Sequence, residues 1–170
     1  FTRMMNIPLG DFNRGDELQP PFLWKGQRIG ANICYEDLFT EELAKRFAAP
    51  EQAPTVFVNV SNLAWFGETK AMHQHLNIST MRALEFERPF LRATNTGITS
   101  IVNERGETTA MIPPRTSGVL SGRVEGRSGT TPYAWWMSRF GHWPYWTIIV
   151  IAVLIAMRAR RRNRQSDPID

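Results

Sequence analysis

Cysteine is almost absent from this sequence: Cys34 is the single one in 170 residues. An internal disulfide is therefore excluded, and so is a zinc cluster on the usual cysteine and histidine spacings. Lysine is nearly as scarce, with only Lys25, Lys45 and Lys70, so a chemistry that needs a lysine has three candidates here. There is no internal repeat, and the opening "FTRMMNIPLGDFNRG" carries no initiator methionine and no signal pattern. It reads as the continuation of something longer, so the expectation is a C-terminal piece.

What is present suits a folded domain. Hydrophobic residues make up 42% of the chain and charged residues 21%, enough for one domain with its own core. The net charge is +4, yet residues 158 to 170, "RARRRNRQSDPID", hold five arginines against two aspartates and so supply +3 of it. The body is close to neutral, and a nucleic-acid partner is not expected. Before that tail stands "WPYWTIIVIAVLIAM", residues 143 to 157, without a charge. Its fifteen residues rise about 22 Å as a helix, and Phe140 to His142 with the stem of Arg158 bring it to the lower limit for a bilayer span. Trp143, Tyr145 and Trp146 mark one interface and the arginines the other. This predicts a transmembrane helix over 139–158, a basic cytoplasmic tail over 159–170 and a domain over 1–138 on the far side of the membrane.

Within that domain, "PFLWKGQRIGANICYED" predicts two strands joined at Lys25-Gly26, with Ile29, Ala31 and Ile33 alternating on the second. "LFTEELAKRFA" predicts a helix with Leu38, Phe39, Leu43 and Phe47 at its apolar spacing. Residues 55–62, "TVFVNVSN", suit a central strand buried on both faces. "AMHQHLNISTMRALEFER" is a helix that Pro89 ends. "FLRATN" and "GITSIVN" are strands meeting at Thr96-Gly97; "TTAMIP" and "GVLSGRV" are further strands, and "EGRSGTTPYA" is a linker. Strands alternating with helices and followed by more strands give an α/β or α+β layered domain.

Cys34 falls where the second strand ends and a helix begins. A thiol there faces the positive end of the helix, which favours the thiolate, while Glu36 and Asp37 oppose it. Position alone leaves a nucleophile and a packed structural thiol both open. His73 and His75, two apart on a helix, do not share a face for a metal, and Glu85 and Glu87 are equally poor as a carboxylate pair. Arg82 and Arg88 read as ion-pairing residues of that helix. No metal site is expected.

Taken together, "GANICYED", "VNVSNLAWFG" and "MRALEFERPFLRATNTGIT" resemble, in this order and spacing, the nitrilase superfamily, and within it the apolipoprotein N-acyltransferases. The resemblance runs from about Met4 to the arginine tail. It implies the C-terminal part of a nitrilase-like αββα sandwich followed by one membrane helix. It also implies Cys34 as a nucleophile that takes a fatty acyl chain from a phospholipid as a thioester and passes it to the N-terminal cysteine amine of a diacylated lipoprotein. Tyr35 and Glu36 match the two site residues after the nucleophile, and Trp65 matches an aromatic of the substrate pocket. Leu63 stands where many relatives carry Asp and is given no role. The resemblance requires no cofactor and places the catalytic domain in the periplasm, anchored in the inner membrane. It also calls for a glutamate base and an oxyanion-holding lysine, which match no position here; "IPLGD" at residues 7 to 11 has the wrong distance from Cys34. Both are expected before Phe1, so the chain alone is expected to be inactive. Two other readings are a membrane-tethered nitrilase-type amidase and a non-catalytic membrane-anchored module of the same fold.

Overall fold

The computed structural model describes residues 15–160, apart from 17 and 68, and the backbone of 161–166. The readings of residues 1–14 and 167–170, and of the Arg161, Arg162 and Arg164 side chains, lie outside the described residues.

The hairpin forms where Lys25-Gly26 predicts it. Lys25 and Gly26 have φ of 46° and 78°, the left-handed pair that lets a two-residue turn follow the twist of its strands. It joins β1 (Phe22–Trp24) to β2 (Gln27–Ile33), and the sheet continues through β3 (Val56–Ser61), β4 (Phe90–Thr94), β5 (Thr99–Val102) and β6 (Thr108–Ile112) in chain order. β2, β3 and β4 are parallel, and the outer pairings are antiparallel. The two parallel connections carry α1 (Thr40–Lys45) and α2 (Ala71–Phe86). Successive right-handed crossovers between neighbouring strands place both helices on one face of the sheet. The result is one mixed sheet with helices packed on it.

The core lies between that face and the helices. β3 sends Phe57 and Asn59 towards them, β4 sends Phe90 and Arg92, and the register pairs Phe57 with Phe90 and Asn59 with Arg92. Phe57 and Phe90 stack at 5.4 Å between ring centroids, and Phe47 after α1 stacks on Phe86 of α2 at 4.9 Å. Gly30 of β2 completes this layer because a Cβ there would come within 2.9 Å of Phe57 and 2.8 Å of Pro54. α3 (Pro132–Phe140) closes the cluster with Ala134 and Met137. Its start is set by the Thr131 hydroxyl, which accepts from the Ala134 N–H at 3.0 Å, and by Pro132 in the first turn. Residues 132–134, the end of the expected linker "EGRSGTTPYA", are therefore helix.

Several expectations need correction. Leu38 and Phe39 are exposed rather than core, because the chain makes a tight 3-10 turn over Cys34–Leu38 before α1. β3 is not buried on both faces: Val60 is 48% exposed, and Ile33, its partner on β2, is 63% exposed. The second face is covered nearer its other end, where the irregular segment after β6 brings Gly122 onto Ile101 and the Arg127 N–H to the Thr55 carbonyl at 3.0 Å. That covering role explains why residues 118–124 form no strand. α2 stops at Phe86, with Glu87 left-handed at φ 49°, before Pro89 can act. Arg82 does pair with Glu85, at 3.0 Å. Arg88 instead lies buried and donates to four carbonyls, those of Pro54, Phe86, Glu87 and Gly129, which pins the incoming segment of α3 to the sheet.

After Gly141 the chain turns into α4 (Trp143–Ser166). Its stretch Trp143–Arg160, 18 residues with none buried, is long and apolar enough to cross a bilayer.

Candidate functional site

β2 runs without interruption into Cys34, and there the backbone reverses hand: Ile33 has φ −117° and Cys34 φ +53°. A left-handed conformation in a residue with a Cβ costs about 1–2 kcal/mol, so the surroundings must hold it. Three local features do so. The Glu36 carboxylate accepts from the Ile33 N–H at 2.6 Å and closes the turn on itself. The Cys34 carbonyl accepts from Asn59 Nδ2 at 2.8 Å and contacts His75 Nε2 at 3.1 Å. Its two partners come from β3 and α2, so the turn is bolted to both elements.

The histidine is itself fixed from behind. Arg92 Nη2 lies 2.9 Å from His75 Nδ1, and Arg92 Nη1 donates to the His75 carbonyl at 2.9 Å. A guanidinium can only donate, so Nδ1 is the acceptor and the imidazole proton sits on Nε2, directed at the Cys34 carbonyl; Asp37 Oδ1 lies 3.3 Å from the same nitrogen. Asp37 balances the arginine at 3.5 Å, and the Ser79 hydroxyl bridges the two, accepting from Arg92 and donating to Asp37. Asp37, His75, Ser79 and Arg92 are all buried. Burial pushes the Arg92 guanidinium down to about 10, against the opposing pull of Asp37 and then Cys34. The network is a scaffold: it orients the backbone of Cys34 and leaves the thiol side of the turn partly open.

The other sequence-derived residues gather nearby. Tyr35 packs on His75 at 4.9 Å and edge-on to Phe66 at 5.6 Å, which brings the 3-10 turn Ala64–Phe66 beside the Cys34 turn. Burial, then the proximity of Cys34 and Asp37, pushes the Tyr35 phenol up. Trp65 is 56% exposed, with its indole N–H donated to the Asn62 carbonyl at 2.8 Å, so its ring is held at the surface. Leu63 is buried where a Cβ at Gly97 would collide with it. A cavity of about 460 Å³ adjoins the turn, lined in part by Asn32, Ile33, Glu36 and Arg46, but not by Cys34 or Trp65. Among the described residues no group of three metal-ligating side chains converges.

Sequence reasoning missed His75, Asp37, Ser79, Arg92 and Asn59 as parts of this site. The available signal was period two along parallel strands: Asn32, Asn59 and Arg92 occupy one register row, directly ahead of the Cys34 turn. Removing Asp37 leaves Arg92 buried without its counter-charge. Asp37→Ala is expected to lower stability by about 3–5 kcal/mol, measured by urea unfolding in detergent of the protein that contains this chain. A loss below about 1 kcal/mol, the level of an exposed pair, would contradict the scaffold.

The chain is 56% identical over 96% of its length to an apolipoprotein N-acyltransferase of Verminephrobacter eiseniae, covering 32% of that protein. It is 50% identical over 95% to one of Ralstonia nicotianae and 47% identical over 97% to one of Bordetella bronchiseptica, covering 30% of each. It thus spans about a third of the length of the curated relatives it matches. The carbon-nitrogen hydrolase profile matches residues 4–133, which include the Cys34 turn, both parallel crossovers and the scaffold beneath them. The chain belongs to the carbon-nitrogen hydrolase family.

Proposed function

We propose that this chain carries the nucleophile of an N-acyltransferase that moves a fatty acyl chain from phospholipid to the N-terminal cysteine amine of lipoproteins. The observation that supports it best is the Cys34 turn itself, a cysteine held left-handed at the end of a parallel strand by two side chains on its carbonyl. Its occurrence in a chain 56% identical to a named apolipoprotein N-acyltransferase supports the choice of substrate class.

In this reading the Cys34 thiolate attacks the carbonyl carbon of a phospholipid ester. The carbon–oxygen bond breaks, and the lysophospholipid leaves with a proton from a general acid. The acceptor amine then attacks the thioester, loses a proton to the same group acting as base, and releases the Cys34 thiolate. One hard transfer from ester to amine is thus divided into two, the second of which expels the thiolate, a good leaving group. Glu36 is committed to the Ile33 N–H, so its part is to hold the turn rather than to move protons. The exposed Trp65 ring, beside Tyr35 through Phe66, is placed to contact the acyl chain or the acceptor.

α4 crosses the inner membrane in this reading, with Arg158 and Arg160 towards the cytoplasm by the positive-inside rule. Residues 1–138 then lie in the periplasm beside the lipid that supplies the acyl group. No organic cofactor or metal takes part.

In the full-length protein, Cys34→Ser and Cys34→Ala are expected to abolish transfer to a lipopeptide with a free N-terminal amine while the protein stays folded and membrane-bound, because a serine hydroxyl is far less ionised at neutral pH than a thiol. Substantial transfer by Cys34→Ser would overturn the assignment. A cytoplasm-active reporter fused after Asp170 is expected to work and a periplasm-active one to fail. The opposite pair of results would invert the orientation and remove Cys34 from the periplasm.

A further inference from the structure

Two loops leave the sheet at the same end as the Cys34 turn. β3 and β4 pair in parallel as far as Ser61 and Thr94, and β2 reaches the turn beside them, so Asn62 and Asn95 are the next residues in that register. The backbone carries the pairing one step on, with the Asn95 N–H donated to the Ser61 carbonyl at 3.4 Å. Side chains then take over. Asn95 Oδ1 accepts from the Leu63 N–H at 3.0 Å and from the Thr96 N–H at 2.7 Å, while Asn95 Nδ2 donates to Asn62 Oδ1 at 2.7 Å. Asn62 Oδ1 also accepts from the Ala64 N–H, at 3.1 Å. Each amide has one orientation that satisfies these contacts, because a backbone N–H can only donate and so must face an oxygen.

The segment held in this way carries the aromatic side of the site. The Trp65 indole N–H is donated to the Asn62 carbonyl, and Phe66 meets the Tyr35 ring edge-on. Asn62 thus holds Trp65 through its main chain and Ala64 through its side chain, while Asn95 holds both Asn62 and Leu63. Leu63 adds an apolar plug: its side chain is buried where Gly97, two residues after Asn95, leaves room for it. Polar bridge and plug both come from the β4–β5 connection, so that connection sets where the 3-10 turn Ala64–Phe66 stands beside the Cys34 turn. The ends of parallel strands are where folds of this kind place their ligands.

We propose that Asn95 is a positioning residue of the acyl-transfer site, which fixes the Trp65 ring for substrate by clamping the 62–66 loop to the end of β4. It acts through Asn62 and Leu63 rather than on the thiol, so its loss weakens substrate binding and leaves the reactivity of Cys34 intact. The inference rests on Trp65 as a substrate contact. The direction of the bridge makes the two asparagines unequal. Asn62→Asp keeps an oxygen for the Asn95 and Ala64 donors. Asn95→Asp keeps the oxygen that Leu63 and Thr96 need but loses the donor, and sets a carboxylate oxygen against Asn62 Oδ1.

The test measures kcat and KM of the full-length protein for phosphatidylethanolamine and for a lipopeptide with a free N-terminal amine, together with the rate at which iodoacetamide alkylates Cys34. Asn95→Asp is expected to raise KM about tenfold, the size of one lost hydrogen bond, for the same substrate whose KM Trp65→Ala raises. Its kcat and alkylation rate stay at parental values, and Asn62→Asp raises KM far less. In a Trp65→Ala background Asn95→Asp adds nothing further, since both changes remove one interaction. A second increase of equal size there would mean that Asn95 acts elsewhere, and would overturn the proposal. So would a parental KM in Asn95→Asp, an equal effect of Asn62→Asp, or an alkylation rate that changes along with KM, the mark of a general structural role. Parental KM values in Trp65→Ala would remove Trp65 as a substrate contact and this proposal with it. The expected pattern combined with undiminished transfer by Cys34→Ser would leave Asn95 its role and refute the nucleophile assignment alone.

Discussion

The positive φ of Cys34 is the constraint on which the rest of the site depends. Left alone, a cysteine at the end of a strand relaxes towards extended or right-handed backbone, since its Cβ crowds the carbonyl in the left-handed region. The carbonyl of Cys34 is therefore held from two sides, by Asn59 and by His75. Each of these needs a further partner. His75 presents its proton correctly only because Arg92 occupies the other ring nitrogen, and Arg92 is tolerable in the interior because Asp37 and Ser79 face it. A chain of buried polar groups thus ends in one backbone angle. Such a network specifies its arrangement strongly because a half-satisfied version is worse than none.

The sheet makes that chain possible by stacking two kinds of row on one face. Gly30, Phe57, Phe90 and Val102 form an apolar row, and Asn32, Asn59, Arg92 and Ser100 form the next, nearer the strand ends. Phe47 and Phe86 seal the first row, while His75 and Asp37 meet the second. The Cys34 turn follows one step further along β2. Apolar packing thereby anchors the parallel strands, the polar row converts their register into hydrogen bonds, and the turn receives its geometry from both.

Much of this was legible because the local chemistry agrees with the global fold. Lys25-Gly26 fixes a hairpin by turn geometry alone, and the apolar spacing of Leu43 and Phe47 marks a face that does reach the core. The strand-to-helix position of Cys34 was also visible. Other features depend on contacts that no local pattern encodes. Leu38 and Phe39 carry a helical apolar spacing, yet they sit on a tight turn and face outwards. His75 reads as an ordinary core histidine until Arg92, seventeen residues on, is placed against it. The residues 118–124 have strand composition, but Gly122 has no room beside Ile101, and the segment covers the sheet instead of extending it.

The same site is coupled to the apolar helix α4 through short links. α1 begins one residue after the Cys34 turn, meets α3 through Thr40 and Tyr133, and holds the start of α4 through Glu41. Uptake of an acyl group by the thiol at this turn decides the proposed function. The most direct measurement is mass spectrometry of the Cys34 peptide after the full-length protein is incubated with phospholipid and no acceptor. A fatty acyl mass on Cys34 that neutral hydroxylamine removes is the expected result; an unmodified Cys34 peptide from protein that nevertheless transfers acyl groups once an acceptor is added would contradict it.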